Sequence, residues 1–213
     1  MQYFYDRRDA AEQLANKLEE YKGEDGVVLA VPRGGVPIGY YLATYLDFDL
    51  DLLMSKKLGH PYNEEFAIGA VGLEDEIIEE TQGISPEYID EEVANIHQQL
   101  KERYRKFMGE KQPVDIAGKV VIVVDDGVAT GRTILATLQM LRRKKPKKLI
   151  VAVPVSSKDA AQRISKEVDE FLTLHTPVPF YGVGRFYKDF SQTSDSEVIS
   201  LLKKFRTSKQ HEV

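Results

Sequence analysis

VVIVVDDGVATGRT, the stretch from Val120 to Thr133, decides the fold of this chain. Five apolar, β-branched residues lead into two adjacent carboxylates, Asp125 and Asp126, and then into a turn of small residues that ends at Gly131. A continuous Val/Ile run is typical of a parallel strand that is buried on both faces. The stretch therefore predicts a strand, a polar turn and a helix that begins at Arg132.

The turn in this stretch predicts a ligand as well as a fold. Backbone N–H groups at a helix N-terminus favour a bound phosphate. The two acids follow the strand directly, at the sheet edge where open α/β proteins bind ligands. Phosphate-binding groups beside carboxylates indicate a sugar phosphate or a metal-bound phosphate.

Composition narrows the class of protein. The 213 residues suffice for one sizeable core, so we expect a single domain, 1–213, with an insertion. A net charge of −5 with well-mixed signs offers no basic face to nucleic acid. The lack of cysteine excludes disulfides, thiolate zinc sites and cysteine nucleophiles. No apolar stretch has the length of a membrane span, so we expect a cytoplasmic protein with no membrane partner.

The rest of the chain alternates strand and helix patterns, which predicts a parallel α/β sheet. Three segments stand out from this alternation. The polar connection at 56–65 is long enough to be a functional lid. Ser85 can cap the longest predicted helix, a helical insertion at about 85–109. The polar tail at about 207–213 is predicted to be disordered.

Two common phosphate-binding motifs do not fit the spacing. A P-loop needs a lysine after its last glycine, whereas Arg132 follows Gly131 here. A dinucleotide-binding fold needs GxGxxG after its first strand, whereas this chain has Arg33-Gly34-Gly35 without the third glycine. A different phosphate-binding family is therefore needed.

The stretch VVIVVDDGVATGRT resembles the phosphoribosyl pyrophosphate (PRPP) signature of the type I phosphoribosyltransferases, with two acids followed at the right separation by Thr-Gly-x-Thr. VPRGGVP, residues 31–37, resembles the pyrophosphate loop of that family. With KLGHP at 57–61 and YGVGRFY at 181–187, the order is most similar to small bacterial members whose acceptor is unassigned. The resemblance implies an α/β fold in which helices flank a parallel sheet, with a small hood and the helical insertion.

The resemblance also assigns roles within the donor site. Asp125 and Asp126 would accept hydrogen bonds from the ribose hydroxyls. The 5′-phosphate would be held by the turn residues Val128, Ala129, Thr130, Gly131, Arg132 and Thr133. The pyrophosphate would be held by Arg33, Gly34, Gly35, Lys56 and Lys57. A non-proline cis peptide bond is implied between Pro32 and Arg33.

The implied reaction is the transfer of the 5-phosphoribosyl group from PRPP to a nitrogenous base, with release of pyrophosphate. Magnesium would be the cofactor, bound mostly by water and substrate, so that Asp125 and Asp126 contact it only indirectly. Glu64 or Glu65, in the lid, would be the general base by analogy with adenine-type enzymes. The catalytic set is then Asp125, Asp126, Arg33, Glu64 and Glu65.

The acceptor base is less well defined by the sequence. Phe180, Phe186 and Tyr187 lie where the family often stacks its base, although aromatic residues near a C-terminal strand also commonly belong to the core. Ala129 stands where enzymes for 6-oxopurines commonly carry an aspartate, which weakens an assignment to hypoxanthine, guanine or xanthine. The resemblance favours a purine only weakly over a pyrimidine. Gly127 departs from the aliphatic residue usual in the motif.

Four further hypotheses come from the sequence and the resemblance. The chain could bind PRPP as a regulatory protein without turnover, or act on another ribose phosphate. A homodimer is usual for the resembled fold, and the apolar face from Ile89 to Phe107 could contribute to it. Arg7 and Arg8 could fold over the site from the N-terminus.

Overall fold

The computed structural model describes residues 3–79 and 82–210, except for the side chains of Glu64, Glu65, Thr133 and Gln210. The strands are β1 (Gly26–Ala30), β2 (Asp49–Leu52), β3 (Lys56–His60), β4 (Asn63–Val71), β5 (Glu76–Ile78), β6 (Val120–Val124), β7 (Lys148–Val155) and β8 (Glu170–His175). The helices are α1 (Arg7–Lys17), α2 (Gly35–Leu46), α3 (Pro86–Met108), α4 (Arg132–Arg143), α5 (Lys158–Ile164) and α6 (Asp195–Gln210). In this part of the chain no helix is long and apolar enough to cross a membrane.

The main sheet is parallel and has the strand order β2-β1-β6-β7-β8. Ala30 at the end of β1 is level with Val124 at the end of β6, so the turns that follow both strands begin side by side. From β1 the chain continues to β2 on one side, whereas from β6 it continues to β7 and β8 on the other. Such a reversal of direction leaves a crevice at the carboxyl ends of the two strands, where open α/β proteins bind ligands.

Alternate residues of the strands fill two cores, one on each face of the sheet. On one face Val28, Ile122 and Ile150 pack with α1, α2, α3 and α6. On the other face Val121 and Val151 pack with α4 and α5. Every residue of β6 is buried, as the continuous Val/Ile run predicts. The fold is the predicted parallel sheet flanked by helices.

A small antiparallel sheet, β3-β4-β5, forms the hood over the crevice. The predicted polar loop at 56–65 is therefore wrong as a secondary-structure assignment, since most of it is the β3–β4 hairpin. The hairpin forms because Leu58 and Ile68 on its inner face are fully buried while its lysines remain in solvent. Only the tip, around Pro61 and Tyr62, is a turn.

Helix α3 begins and ends where its sequence predicts. Ser85 accepts a 3.2 Å hydrogen bond from the backbone N–H of Tyr88, and Pro86 occupies the first helical position. The apolar face of α3, which includes Ile96 and Phe107, is buried within this chain. That face is consequently not available for the dimer contact that the sequence suggested.

Asp51 is a buried carboxylate that joins β2, α3 and the segment before β6. It accepts hydrogen bonds from Tyr104 Oη at 2.8 Å, from the backbone N–H of Val114 at 2.7 Å and from that of Leu52 at 2.8 Å. Burial raises the pKa of the Asp51 carboxyl above its ordinary value, although these donors oppose the shift.

Helix α6 continues to Gln210, so the prediction of disorder from residue 207 is wrong. Val198, Leu202 and Phe205 bury one face of this helix in the core. Arg206 secures its last turns by donating from Nη1 to the carbonyl of Met108 at 2.8 Å. Residues 211–213 of the predicted tail lie outside the described residues.

Candidate active site

The turns that follow β1 and β6 are in direct contact at the crevice. A Cβ atom on Gly34 would lie 2.5 Å from Cγ of Asp126, and one on Gly35 would lie 2.7 Å from the carbonyl oxygen of Val124. Gly34 has ordinary helical dihedral angles, φ −60° and ψ −34°. Glycine is therefore required at position 34 for space, and the predicted pyrophosphate loop adjoins the predicted ribose acids.

The peptide bond between Pro32 and Arg33 is cis, as the resemblance implies. The Arg33 side chain is about one-third exposed at 33%, and its Nη1 donates to Oδ1 of Asp195 at 3.3 Å. Lys106 donates to the other oxygen of the same carboxylate at 2.6 Å. Arg33 thus reaches the edge of the crevice, where it is paired with the first turn of α6.

The two acids form a tight, partly buried pair. The backbone N–H of Asp126 donates to Oδ1 of Asp125 at 2.8 Å. Burial raises the pKa of the Asp125 carboxyl well above its ordinary value, and the neighbouring Asp126 charge adds to the shift. Burial also raises the pKa of Asp126, while the charge of Arg7 opposes it. A ligand that donates hydroxyl hydrogen bonds or carries positive charge would therefore stabilise the ionised form of the two acids.

The side chain of Arg7 lies in this site. The sequence suggested this position for both Arg7 and Arg8 without distinguishing them. Its Nε and Nη2 donate to Oδ2 of Asp126 at 3.0 and 2.8 Å. Its Nη1 donates to the carbonyl of Ser191 at 2.8 Å, and its Cζ lies 4.1 Å from the ring centroid of Phe190. No local motif marks this arginine, because the contact joins residues 119 positions apart.

The phosphate turn is only partly as predicted. The backbone N–H of Val128 donates to the carbonyl of Val155 at 2.9 Å, and the Val128 side chain is 3% exposed. Val128 therefore supports the turn and its N–H does not face a phosphate. Ala129, Thr130 and Arg132 are exposed in front of α4, whose first-turn N–H groups have no carbonyl within the helix.

The other members of the predicted phosphate set complete the turn. Gly131 adopts a left-handed conformation with φ 69°, which starts α4 at Arg132 as predicted. Ser157, the N-cap of α5, supports the turn by donating from Oγ to the carbonyl of Ala129 at 2.6 Å. The Thr133 side chain lies outside the described part of the structure.

A cleft of about 550 Å³ separates the hood from the start of α4. Its lining includes Lys56, Lys57 and Phe66 from the hairpin, together with Thr130 and Arg132 from the phosphate turn. The two lysines predicted to bind pyrophosphate and the turn predicted to bind phosphate therefore face one space. Lys56 also donates to Gln99 Oε1 of α3 at 3.0 Å.

The structure tests the predicted base-stacking residues but not the predicted general base. The backbone of Glu64 and Glu65 lies in β4, but their side chains are outside the described residues. Phe186 and Tyr187 are 6% and 3% exposed and pack in a core cluster with Phe4, so they do not offer a face to a base. Phe180 is half-buried against Phe186, with the ring centroids 5.4 Å apart.

Tyr187 has a different function in the fold. Its hydroxyl donates to the backbone carbonyl of Asp126 at 2.6 Å. Burial raises the pKa of this phenol, so it stays protonated and remains a donor at neutral pH. Tyr187 therefore supports the acid turn from behind instead of stacking on a ligand.

The donor atoms of the site are suited to a hard cation that keeps its own water. Among residues 3–79 and 82–210 no group of three or more His, Asp or Glu side chains could enclose a metal ion. Asp125 and Asp126 do supply carboxylate oxygens at the crevice. This donor set fits a magnesium ion that is bound mainly by substrate and water.

Comparison with known proteins identifies the family. The family model described as the phosphoribosyl transferase domain matches residues 5–184. The chain belongs to the phosphoribosyltransferase family. A candidate phosphoribosyl transferase of Mycobacterium tuberculosis is 36% identical over 208 residues, covering 95% of this chain and 47% of that protein. The phosphoribosyltransferase domain therefore spans about half the length of the curated relatives it matches.

Solved structures agree with this fold. Protein TT1426 of Thermus thermophilus is 34% identical with a TM-score of 0.86, covering 96% of this chain and 99% of that one. A hypoxanthine-guanine phosphoribosyltransferase of Bacillus anthracis is 18% identical with a TM-score of 0.50, covering 86% and 89%. This chain therefore has the type I phosphoribosyltransferase fold.

Proposed function

We propose that the chain transfers the 5-phosphoribosyl group from PRPP to a nitrogenous base and releases pyrophosphate. The contact between Gly34 and Asp126 supports this proposal most directly, because it joins the loop predicted to bind pyrophosphate to an acid predicted to bind the ribose. The phosphate turn begins two residues later. Three subsites of one donor molecule would then surround a single crevice.

In this proposal each part of PRPP has its own partners. The exposed first turn of α4 and Thr130 bind the 5′-phosphate. Asp125 and Asp126 accept hydrogen bonds from the ribose hydroxyls. Arg33 and Lys56 hold the pyrophosphate, for which Arg33 exchanges its bond with Asp195. The backbone N–H of Gly35 donates to the carbonyl of Val31 at 2.9 Å, so Gly35 supports the loop and its N–H does not face the pyrophosphate.

The reaction is a displacement at C1 of the ribose. A nitrogen of the base forms a bond to C1 as the bond from C1 to the pyrophosphate oxygen breaks, and the base then releases a proton. Catalysis comes from holding both reactants in line and from neutralising charge on the leaving group. Magnesium, when bound through substrate and water near Asp125 and Asp126, would add positive charge to that leaving group.

The hood is proposed to supply the acceptor side of the site. Phe66 is 53% exposed and lines the cleft, so its ring is available to a flat base, unlike that of Phe186. Ala129 provides no proton-transfer group. Glu64 or Glu65 of β4 stays the proposed general base, and a purine stays the favoured acceptor. Because α3 buries its apolar face internally, a homodimer would use another surface.

Pyrophosphate release in the presence of PRPP and magnesium tests the proposal. A panel of purines, pyrimidines and nicotinate-like acids should include at least one base that gives turnover. The double variant Asp125→Asn/Asp126→Asn should lose PRPP binding by calorimetry, whereas Asp47→Asn, an exposed carboxylate on the far end of α2, should not. Equal PRPP affinity in the double variant would refute the proposal. Binding without turnover on the whole panel would favour a PRPP-sensing protein.

A further inference from the structure

The acid turn is held in place by the N-terminal segment of the described chain and by the segment that precedes α6. Residues 3–7 and 186–191 run together as a pair of segments, here called the terminal brace. Phe4 donates to the carbonyl of Phe186 at 3.0 Å and accepts from the N–H of Lys188 at 2.9 Å. The Phe4 side chain is 2% exposed, so the brace has a packed interior. Its position on the fold is therefore fixed.

Arg7 is the residue through which the N-terminal half of the brace reaches the site. Asp6 caps α1 by accepting from the N–H of Asp9 at 2.8 Å, which sets Arg7 at the first helical position. Its guanidinium is anchored on three sides, by Asp126, by the carbonyl of Ser191 and by the face of Phe190. The side chain is 12% exposed. A charge this enclosed belongs to a built site and not to a solvated surface.

The pattern of hydrogen bonds shows what Arg7 does to its partner. Both bonds from Arg7 to Asp126 end on Oδ2, and neither uses Oδ1. The hydroxyl of Tyr187, from the other half of the brace, holds the backbone carbonyl of the same residue. One carboxylate oxygen and the main chain of Asp126 are therefore fixed, which determines where the second oxygen points.

We propose that Arg7 is a positioning residue of the donor site, which orients Asp126 so that its second carboxylate oxygen accepts a hydrogen bond from a ribose hydroxyl. The N-terminal segment thereby becomes part of the PRPP site. This inference rests on the proposed function, since it assumes a ribose ligand. It extends that function by assigning a residue outside both motifs.

Calorimetric titration of Arg7 variants with PRPP and, separately, with inorganic pyrophosphate tests this role. Both titrations contain magnesium. Arg7→Gln should weaken PRPP binding about 10- to 100-fold, the range expected for losing hydrogen bonds to a charged group. Pyrophosphate binding should change by less than about twofold, because Arg7 acts on the ribose acid. Arg7→Lys, which keeps one charged donor, should regain part of the loss.

Arg8 provides a matched control on the same helix. It is exposed and pairs with Glu12 at 2.9 Å, one helical turn away, so Arg8→Gln removes an arginine without touching the site. Its PRPP affinity should equal that of the wild type. Thermal melting of all variants shows whether they are folded. If Arg7→Gln does not fold, the same difference between the two ligands is expected, at smaller size, in Arg7→Lys.

The possible results separate this inference from the proposed function. A wild-type chain that binds no PRPP would refute both. A wild type that binds, with Arg7 variants that bind equally well, would refute the inference alone. Tighter binding in Arg7→Gln would make Arg7 a competitor of the ligand. Equal weakening for PRPP and pyrophosphate would reduce Arg7 to a general structural residue, which also contradicts the inference.

Discussion

Val183 fills the space that a side chain at position 127 would otherwise need. A Cβ atom on Gly127 would lie 2.6 Å from Cγ1 of Val183 and 2.8 Å from Cγ1 of Val155. The type I signature usually carries an aliphatic residue at this position. Here the apolar group comes from a segment 56 positions further along the chain, so the departure at Gly127 leaves no void in the motif.

Because the side chains at positions 127 and 183 compete for one space, substitutions at the two positions should show a measurable coupling energy. Gly127→Ala should destabilise the fold because its methyl group overlaps Val183, and Val183→Ala should destabilise it by leaving a small cavity. The double variant should be more stable than the sum of the two losses, by about 0.5 kcal/mol or more. Urea unfolding of the four proteins measures this difference. Simple additivity would show that the two residues do not share the space.

Gly34→Ala should abolish PRPP binding while leaving the chain folded. The added methyl group would displace the Asp126 carboxylate, but the dihedral angles of residue 34 suit alanine. Gly23→Ala is the control, because residue 23 has φ +81° with no atom near its added Cβ. That variant should lose about 1 kcal/mol of stability and keep its affinity. Retained binding in Gly34→Ala would contradict the contact.

The buried Asp51 carboxyl should give the fold a pH dependence that Asp51→Asn lacks. Because its pKa is raised in the folded chain, the unfolded chain releases this proton first as the pH increases. The folded state then binds more protons, so its stability falls between the ordinary aspartate pKa and the raised one. Urea unfolding from about pH 4 to about pH 7 should show the advantage of wild type over Asp51→Asn shrinking as the pH rises. A stability advantage of wild type that grows with rising pH would contradict a raised pKa of Asp51.

Phe186 and Phe66 should respond in opposite ways to truncation. Phe186→Ala should cost about 3 to 5 kcal/mol of stability, since the ring is buried against Tyr3 and Phe180. Phe66→Ala should change stability by less than about 0.5 kcal/mol and should raise the KM for the acceptor base. Denaturation and steady-state kinetics check the two effects. Normal acceptor KM in Phe66→Ala would remove the hood ring from the proposed base site.

Asp195→Asn should strengthen pyrophosphate binding about two- to fivefold. Arg33 is paired with Asp195 and must leave it to reach pyrophosphate, so weakening the pair favours the bound state. Glu197→Gln is matched to it, because Glu197 also lies in the first turn of α6 and its loss changes the helix end in the same way. Calorimetry should show no gain for Glu197→Gln. If Asp195→Asn and Glu197→Gln bind pyrophosphate equally well, the ion pair between Arg33 and Asp195 does not compete with pyrophosphate, which contradicts the prediction.

The sequence predicts those parts of the fold whose signals are local. Strand β6, the acid turn and the bounds of α4 all follow from 24 consecutive residues, 120–143, because burial and helix start are encoded there. The Ser85 cap likewise locates α3. The β3–β4 hairpin is missed, since β3 is short and polar on one side and its pairing depends on a partner segment.

The site is less predictable than the fold, for the same reason. The sequence places Asp126 and Gly34 in one site, but it does not show that they touch. The hydrogen bond from the Val128 N–H to the carbonyl of Val155 depends on β7, which lies beside β6 only in the folded sheet. Arg7 reaches Asp126 through the pairing of two distant segments. Each of these contacts is a tertiary event that no short motif encodes.

The terminal brace also has a consequence for how the protein is made. The family match covers residues 5–184, so it omits Ser191 and Phe190, which hold Arg7 in place. On the ribosome, Arg7 emerges early but lacks two of its three partners, Ser191 and Phe190, until the segment at 186–191 has been synthesised. The sheet and the phosphate turn could assemble before then. The acid turn could not, because the contacts that hold Asp126 depend on the segment at 186–191. Competence to bind PRPP should therefore arise late in synthesis, after the rest of the crevice has formed.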